Sequence, residues 1–497
     1  MNVGITLLVS YFLNFGFIAF ILFFDRRDSP KRFSWLLAIT FIPIAGIMLY
    51  LLFSGNFLLR YKRLEKSIRH AEDIFSPLQA ELDRKAEKRL ASHDPALEPC
   101  ARFIRLNRHY AGAPLAYSKT VYVFTSGEEN YRTLFAEIRR AQISVSLSYF
   151  IIRNDATGRQ LISILAEKAR QGVEIRLLYD HIGSLRTSDA LFEPLKKAGG
   201  EVRKFFPVTV LTPYSLNYRN HRKIAVIDHR AGYFGGINIG DEYANCSPKQ
   251  RFLWRDTQIR VTGEAALLLE KCFLGDWYSA RYKTRQSIAP EKSRIVSAPP
   301  EKEEQDLPLP SVCITDVPLQ IVTSGPNDVK NDEIRDALLF LIAHAKKSVH
   351  IETPYFTPDE VFFSALKIAA LSGIEVQIIL PGDWDKFYVK LAAMPYISDL
   401  AKNGVQFFHY NGFIHAKMFV IDGEIASVGS TNIDTRSFSL HFELNAFFYS
   451  PQFAAAAEGI FRGDLANSTP ADPQAFDRAP LCKKAVCNFF KLFAPLM

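Results

Sequence analysis

Cysteine is scarce in this chain and follows no pattern. Six thiols (Cys100, Cys246, Cys272, Cys313, Cys482 and Cys487) are scattered over 497 residues without a Cys-x-x-Cys pair. This excludes a disulfide-stapled scaffold and a thiolate zinc site, and it suits a reducing compartment. No grouping of His, Asp and Glu has zinc-like spacing either, so no metal is expected. The formal net charge is only +8, which would suit an acidic lipid surface or a nucleic acid. No dense Lys/Arg–aromatic stripe marks a nucleic-acid track, however, and no nucleic-acid partner is expected. The first apolar stretch lacks a basic segment ahead of it and a small-residue cleavage site behind it, which argues against a cleaved signal peptide.

What the chain has is length and uneven hydropathy. With 48% hydrophobic and 13% aromatic residues it can bury a sizeable core, and it is too long for one ordinary domain. Val3 to Phe24 and Phe33 to Phe53 carry no charge, and DRRDSPKR (25–32) separates them. At about 1.5 Å per residue, each stretch matches a hydrocarbon layer of roughly 30 Å. Residues 1–55 are therefore expected to form a two-helix transmembrane hairpin, with Pro43 accommodated inside the second helix. Arg60, Lys62, Arg63, Lys66 and Arg69 after the hairpin slightly outnumber Arg26, Arg27, Lys31 and Arg32 in its turn. That bias places the rest of this multi-pass chain on the cytoplasmic side of the cell (inner) membrane. Residues 56–114 read as a charged helical connector.

From about residue 115 the sequence is written twice. VYVFTSGEENYRTLFAEIRRAQISVSLSYFII (121–152) is echoed by LQIVTSGPNDVKNDEIRDALLFLIAHAKKSVHIETPYF (319–356), and GVEIRLLYD (172–180) by GIEVQIILPGD (373–383). Alternating strands and helices predict an α/β fold of two tandem sandwich domains, 115–285 and 315–480, sharing a central site. Residues 286–314, rich in Pro, Glu and Lys, read as a surface linker. LCKKAVCNFFKLFAPLM (481–497) is basic and aromatic, an amphipathic segment suited to docking on the fold or lying on a membrane.

Each copy ends in the same block, NYRNHRKIAVIDHRAGYFGGIN (217–238) and NGFIHAKMFVIDGEIASVGSTN (411–432). His221, Lys223, Asp228, Gly235, Gly236 and Asn238 match His415, Lys417, Asp422, Gly429, Ser430 and Asn432 without a gap. Strand alternation puts His and Lys on one face, and the glycines allow a tight turn that returns each Asn towards its Lys. Two Lys and two Asn amides can neutralise the non-bridging oxygens of a phosphodiester, with Gly236 and Ser430 in the supporting turn. One imidazole can attack phosphorus while the other protonates the leaving alkoxide. Asp228 and Asp422 complete the motif and are counted with the catalytic set, although their opposite parity favours anchoring of local structure. The remaining histidines, His441 among them, are given no role.

The double block resembles the phospholipase D superfamily, and its context is similar to bacterial cardiolipin synthases. The echoes include the hairpin sequence FFDRRDSPKRFSWLLAITFIPIAGIMLYLLF, RLLYDHIGS (176–184), NYRNHRK (217–223), WRDTQIRVTGEA (254–265), TPYFTPD (353–359) and STNIDTRSFSLHFELN (430–445). The resemblance implies tandem phospholipase D-like domains and a phosphatidyltransferase that joins two phosphatidylglycerol molecules into cardiolipin and releases glycerol. It implies no cofactor, and as partners phosphatidylglycerol, other anionic phospholipids and the bilayer. It makes His221 the nucleophile that becomes phosphohistidine and His415 the acid, and it offers Asp256 and Glu443 as the acidic partners of the two histidines. Ser148 stands where many relatives are acidic, and Glu352 where they vary, so no acidic pocket residue is carried over from those strands. Two other functions fit the same motifs: a membrane phospholipase D releasing phosphatidic acid, and a membrane-tethered nuclease or nucleic-acid-binding protein.

Overall fold

The computed structural model describes residues 3–25, 29–53, 58–92, 97–208, 218–280, 307–325 and 332–494. Most of the expected linker (286–306) and Asn217 at the head of the first block lie outside the described residues.

Duplication in the sequence becomes duplication in the sheet. In the first half the strand order is Ala116–Phe124, Gln258–Gly263, Ala231–Gly235, Ile224–Ile227, Ser144–Tyr149, Glu174–Asp180 and Glu201–Phe205. The second half repeats it as Ile314–Ser324, His441–Phe448, Ile425–Gly429, Met418–Ile421, Ser348–Glu352, Glu375–Pro381 and Gln406–Tyr410, with Ser468–Pro470 at the far edge. The two leading strands pair antiparallel, from Ala116 opposite Leu319 to Val121 opposite Ile314. That single pairing fuses both halves into one continuous sheet with fifteen strands in line among the described residues, and Arg219–Asn220 joins His441–Phe448 as a sixteenth.

The outer strands of each half run parallel, which requires crossover connections. The helices Ala156–Arg170 and Glu360–Leu371 supply two of them. Each starts on an aspartate cap: Asp155 accepts from the Gly158 N–H at 3.0 Å, and Asp359 from the Phe362 N–H at 2.8 Å. Caps of this kind contribute about 1 kcal/mol each. Covered by helices, the strand Ser144–Tyr149 is buried at every position, as parallel sheets demand.

The middle of the molecule has one apolar core common to both halves. Leu269, Phe273 and Trp277 of the helix Glu264–Ser279 meet Phe453, Ala457 and Phe461 of its counterpart Pro451–Ala466 in that cluster. The helix Leu58–Ala91 lies across it, with Ala71, Phe75 and Leu82 in the shared core and Ala86 and Leu90 in the second half's own core.

Ahead of this body lie helices Val3–Phe24, Ser29–Phe41 and Pro43–Phe53. The second apolar stretch is therefore two helices rather than one. Pro43 has no N–H to continue the ladder, so the break falls immediately before it. Ile21, Ile39 and Tyr50 make a small buried contact, and Tyr50 Oη donates to Asp25 Oδ2 at 3.2 Å. Among the described residues no helix is long and apolar enough to cross a membrane.

Asp228 and Asp422 turn out to be anchors. Both adopt left-handed backbone, with φ of 51° and 57°, in the turn after the strand that follows each His-x-Lys. The Asp228 carboxylate accepts from the N–H groups of Gln142, Ile143 and Ser144 at 2.7–3.1 Å. Asp422 accepts from Lys346, Lys347 and Ser348 at 2.6–3.0 Å. Each staples its hairpin to the start of a parallel strand, at the opposite end of the motif strand from the lysine. At about 3.3 Å per residue that separation is roughly 16 Å, which takes both aspartates out of the catalytic set. Asp422→Ala, which strands three donors, is expected to lower unfolding stability by about 2–4 kcal/mol. The folded fraction should keep its turnover number, as denaturant titration and active-site counting would check.

Candidate active site

The histidine–lysine pairs do not sit within the long strands. Each lies in the short irregular link between two strands, and the first of those strands pairs with the other half of the molecule. Arg219–Asn220 runs parallel to His441–Phe442, and Phe413–Ile414 runs parallel to Trp254–Arg255. The His221 N–H donates to Phe442 O at 3.0 Å, and the His415 N–H to Arg255 O at 2.6 Å. Each histidine is thus gripped by the opposite half.

The carboxylates are exchanged in the same way. His221 Nδ1 lies 3.0 and 3.1 Å from the two Glu443 oxygens and 3.1 Å from Ser430 O. His415 Nδ1 lies 2.6 Å from Asp256 Oδ2. A buried carboxylate at Nδ1 makes that nitrogen the donor and leaves the Nε2 lone pair for the substrate. In that tautomer the 3.0 Å approach of Lys417 Nζ to His415 Nδ1 is a charge contact. Each lysine amine instead donates to the carbonyl of the histidine two residues earlier, both at 2.5 Å.

Two matched positions differ in a way that fits their carboxylates. A methyl at Gly236 would meet Asp256 Oδ1 at 2.0 Å, so glycine there is what admits the short aspartate. At the equivalent place Ser430 Oγ donates to Glu443 Oε2 at 2.5 Å. Asn238 Oδ1 accepts from the Ile151 N–H at 3.0 Å, tying the turn to the parallel sheet. Asn432 Oδ1 is buried with no hydrogen-bond partner.

Electrostatically the site gathers four basic groups in the interior of the protein. His221, His415, Lys223 and Lys417 are all buried. Burial, then Lys223, Lys417 and His415, push His221 well below its ordinary value. Burial and Lys417 bring His415 down to about 3. Burial lowers Lys223 to about 7 despite the pull of Glu443, and Lys417 to about 8 despite Asp256. Burial would raise Asp256, but His415 and Lys417 outweigh it and hold the carboxyl below its usual range. A cluster with these values favours an anion, because negative charge among the four groups restores the protonated forms.

Several participants carried no clear signal in the sequence. Arg222, the middle residue of the first motif, crosses between halves. Its guanidinium donates to Glu443 O at 2.9 Å and Ser324 O at 3.0 Å and pairs with Asp276 at 2.6 Å. Arg255 answers it from the other side, pairing with Asp464 at 2.6 Å. Glu352 is fully buried nearby, and burial together with Asp464 pushes its pKa well up. Trp254 lies beside His415, ring centres 5.0 Å apart, and His441 lies beside His221 at 5.8 Å. His441 also stands 3.7 Å from Glu443. With His221 and Glu443 it forms a trio whose ligand atoms lie within 4.8 Å of one another, close enough to hold a metal ion. Strand spacing did not reveal this cluster, because His221 joins it only through the tertiary fold. Glu443 already bonds His221 and Ser430, an arrangement suited to orienting the imidazole.

The family model "Cardiolipin synthase, PLD-like domain" matches residues 134–260 and 338–465, one match for each half, and "Phospholipase_D-nuclease N-terminal" matches residues 10–55. A cardiolipin synthase of Listeria monocytogenes serotype 4b is 36% identical, over 99% of this chain and 98% of its own. The chain belongs to the cardiolipin synthase family. The major cardiolipin synthase ClsA of Bacillus subtilis is 37% identical over the whole of both chains. Among solved structures, a phosphatidylserine synthase from Haemophilus influenzae shares the fold, with a TM-score of 0.58 at 14% identity over 80% of this chain and 98% of that one. Like other members of the cardiolipin synthase family, the chain is a phosphatidyltransferase of the phospholipase D type with two tandem phospholipase D-like α/β units.

Two predictions come from this site. Glu443→Gln keeps the shape but removes the charge that fixes the His221 tautomer; kcat should fall about 10³–10⁴-fold with KM changed only a few-fold. Anion binding should also take up protons. Near pH 8 Lys223 is largely neutral and Lys417 about half so, and a bound phosphate or tungstate raises both. Calorimetry in buffers of differing ionisation enthalpy should therefore show net uptake, with affinity falling as pH rises above about 7. Proton release at pH 8 would contradict the charge assignment.

Proposed function

We propose that the chain joins two phosphatidylglycerol molecules into cardiolipin and glycerol by two displacements at phosphorus. His221 Nε2 attacks the phosphodiester of the first lipid. The P–O bond to the headgroup glycerol breaks, and protonated His415 gives that oxygen its proton. The phosphatidyl group is then held on His221. A headgroup hydroxyl of the second lipid loses its proton to His415, and its oxygen attacks phosphorus, releasing His221. Lys223, Lys417 and the Asn432 amide face the non-bridging oxygens. Glu443 and Asp256 hold the two imidazoles in register and balance the imidazolium as it forms.

The observation that carries this reading is the exchange of carboxylates. Two like histidines, each paired with an acid from the opposite half, act on one another within one buried cluster of basic groups, in a chain alignable end to end with cardiolipin synthases. Symmetric chemistry in two opposite directions asks for such a pair. The proposed layout is a membrane hairpin at 1–55, the connector at 56–114, working halves at 115–285 and 315–480 joined by 286–314, and the tail at 481–497. Insertion of the hairpin into the cell membrane is supported by its outward-facing Phe12, Phe15, Phe23 and Phe41, each more than 70% exposed, and a cytoplasmic catalytic body by the excess of Lys and Arg after the hairpin. Side chains of that kind in such number call for lipid rather than water.

Mass spectrometry of the products formed from phosphatidylglycerol tests the reaction. Cardiolipin with an equivalent of glycerol is the expected result, and phosphatidic acid without cardiolipin would reassign the enzyme as a hydrolase. His221→Ala should abolish turnover and His415→Ala should block release of the leaving glycerol. Activity should persist in a chelator; strict metal dependence would instead point to the His221–His441–Glu443 trio.

A further inference from the structure

The C-terminal helix Leu481–Leu492 is mounted with its apolar side outward. At about 100° per residue, Leu481, Val486, Phe489 and Leu492, continued by Phe493, share one side, and all five are exposed. The opposite side rests on the helix Phe387–Ala401. There Cys487 is buried with its sulfur 3.8 Å from Met394 Sδ, and Lys491 Nζ lies 4.3 Å over the Tyr396 ring. Water alone would select the reverse arrangement.

The surface continues towards the active site. Phe387, 69% exposed, has its ring 6.1 Å from Phe490. The residue before it, Lys386, lies 4.5 Å over the Tyr355 ring and is one of the positive charges acting on His221. The helix contains Lys483, Lys484 and Lys491 and no acidic residue. An apolar side flanked by lysines complements an anionic lipid surface.

We propose that this face is a membrane-contact surface that seats the catalytic body on an anionic bilayer. The outer side chains of the helix enter the boundary between headgroups and acyl chains, and the rim at Lys386 and Phe387 turns towards the lipid. The hairpin would keep the body near the membrane; this second contact sets its orientation. The choice of occupant rests on the phosphatidylglycerol reading, since that substrate is part of such a surface.

The test uses the full chain with Cys246→Ser and Cys313→Ser, which remove exposed thiols elsewhere, and a bimane fluorophore on Cys482 beside the outer face. In phosphatidylglycerol vesicles the emission should shift to the blue and be quenched by brominated lipid. Both effects should be lost when Leu481→Ser, Phe489→Ser and Leu492→Ser are combined. That triple variant should need about tenfold more vesicular phosphatidylglycerol for half-maximal rate. Its turnover on short-chain phosphatidylglycerol, dispersed as monomers, should stay within twofold. A label that remains in water on these vesicles would overturn the proposal. So would a label protected without lipid in a concentration-dependent way, which would make the occupant a second copy of the chain. Cardiolipin formation with a water-exposed label rejects the surface alone, whereas an inserted label without cardiolipin rejects the reaction alone.

Discussion

The bond between His415 and Asp256, and its counterpart between His221 and Glu443, is the constraint around which the molecule is organised. A buried imidazole that must gain and lose a proton needs a fixed tautomer and a nearby negative charge. Each half supplies that charge to the other. The exchange works only if the two halves hold a constant mutual position, and the antiparallel pairing of Ala116–Phe124 with Ile314–Ser324 makes them one sheet. The common core beneath, the Arg222 guanidinium bridging to Glu443 O and Ser324 O, and the helix Leu58–Ala91 laid across the seam all resist relative motion of the halves. Neither half alone supplies the acid that pairs with its own His-x-Lys histidine.

Internal symmetry also explains the chemistry. In the proposed reaction the second displacement is the first run in reverse with another alcohol, His221 serving as nucleophile and then leaving group while His415 serves as acid and then base. Where the halves differ, the differences are local and fit the side chains concerned. Gly236 leaves room for aspartate where Ser430 bonds glutamate, and Trp254 flanks one histidine where His441 flanks the other. The second difference places a titratable ring beside the proposed nucleophile and an indole beside the proposed acid.

Much of the fold was legible because it is periodic. The gapless match from His221 to Asn238 against His415 to Asn432 announced duplication, and alternating apolar strands and amphipathic helices announced the α/β layers. Opposite strand parity already argued that Asp228 and Asp422 face away from the substrate, and their hold on Gln142–Ser144 and Lys346–Ser348 gives the reason. Pro43 was expected inside one continuous helix, but the missing N–H divides it. Arg222, Asp276, Arg255, Asp464 and His441 left little trace because single buried polar residues have no period to betray them.

By itself the sequence determined the duplicated motif and which residues match across the two copies, because a repeated motif with its intervening glycines encodes short-range backbone shape. It also determined the apolar stretches at the start and the basic, aromatic segment at the end. Only the tertiary structure decided which acid serves which histidine, since Asp256 and His415 lie 159 residues apart and Glu443 and His221 lie 222 apart. It likewise decided that the final helix rests on its Cys487 side and turns its phenylalanine and leucines outward. Contacts between distant segments depend on how whole sheets and helices pack, and no local pattern records that.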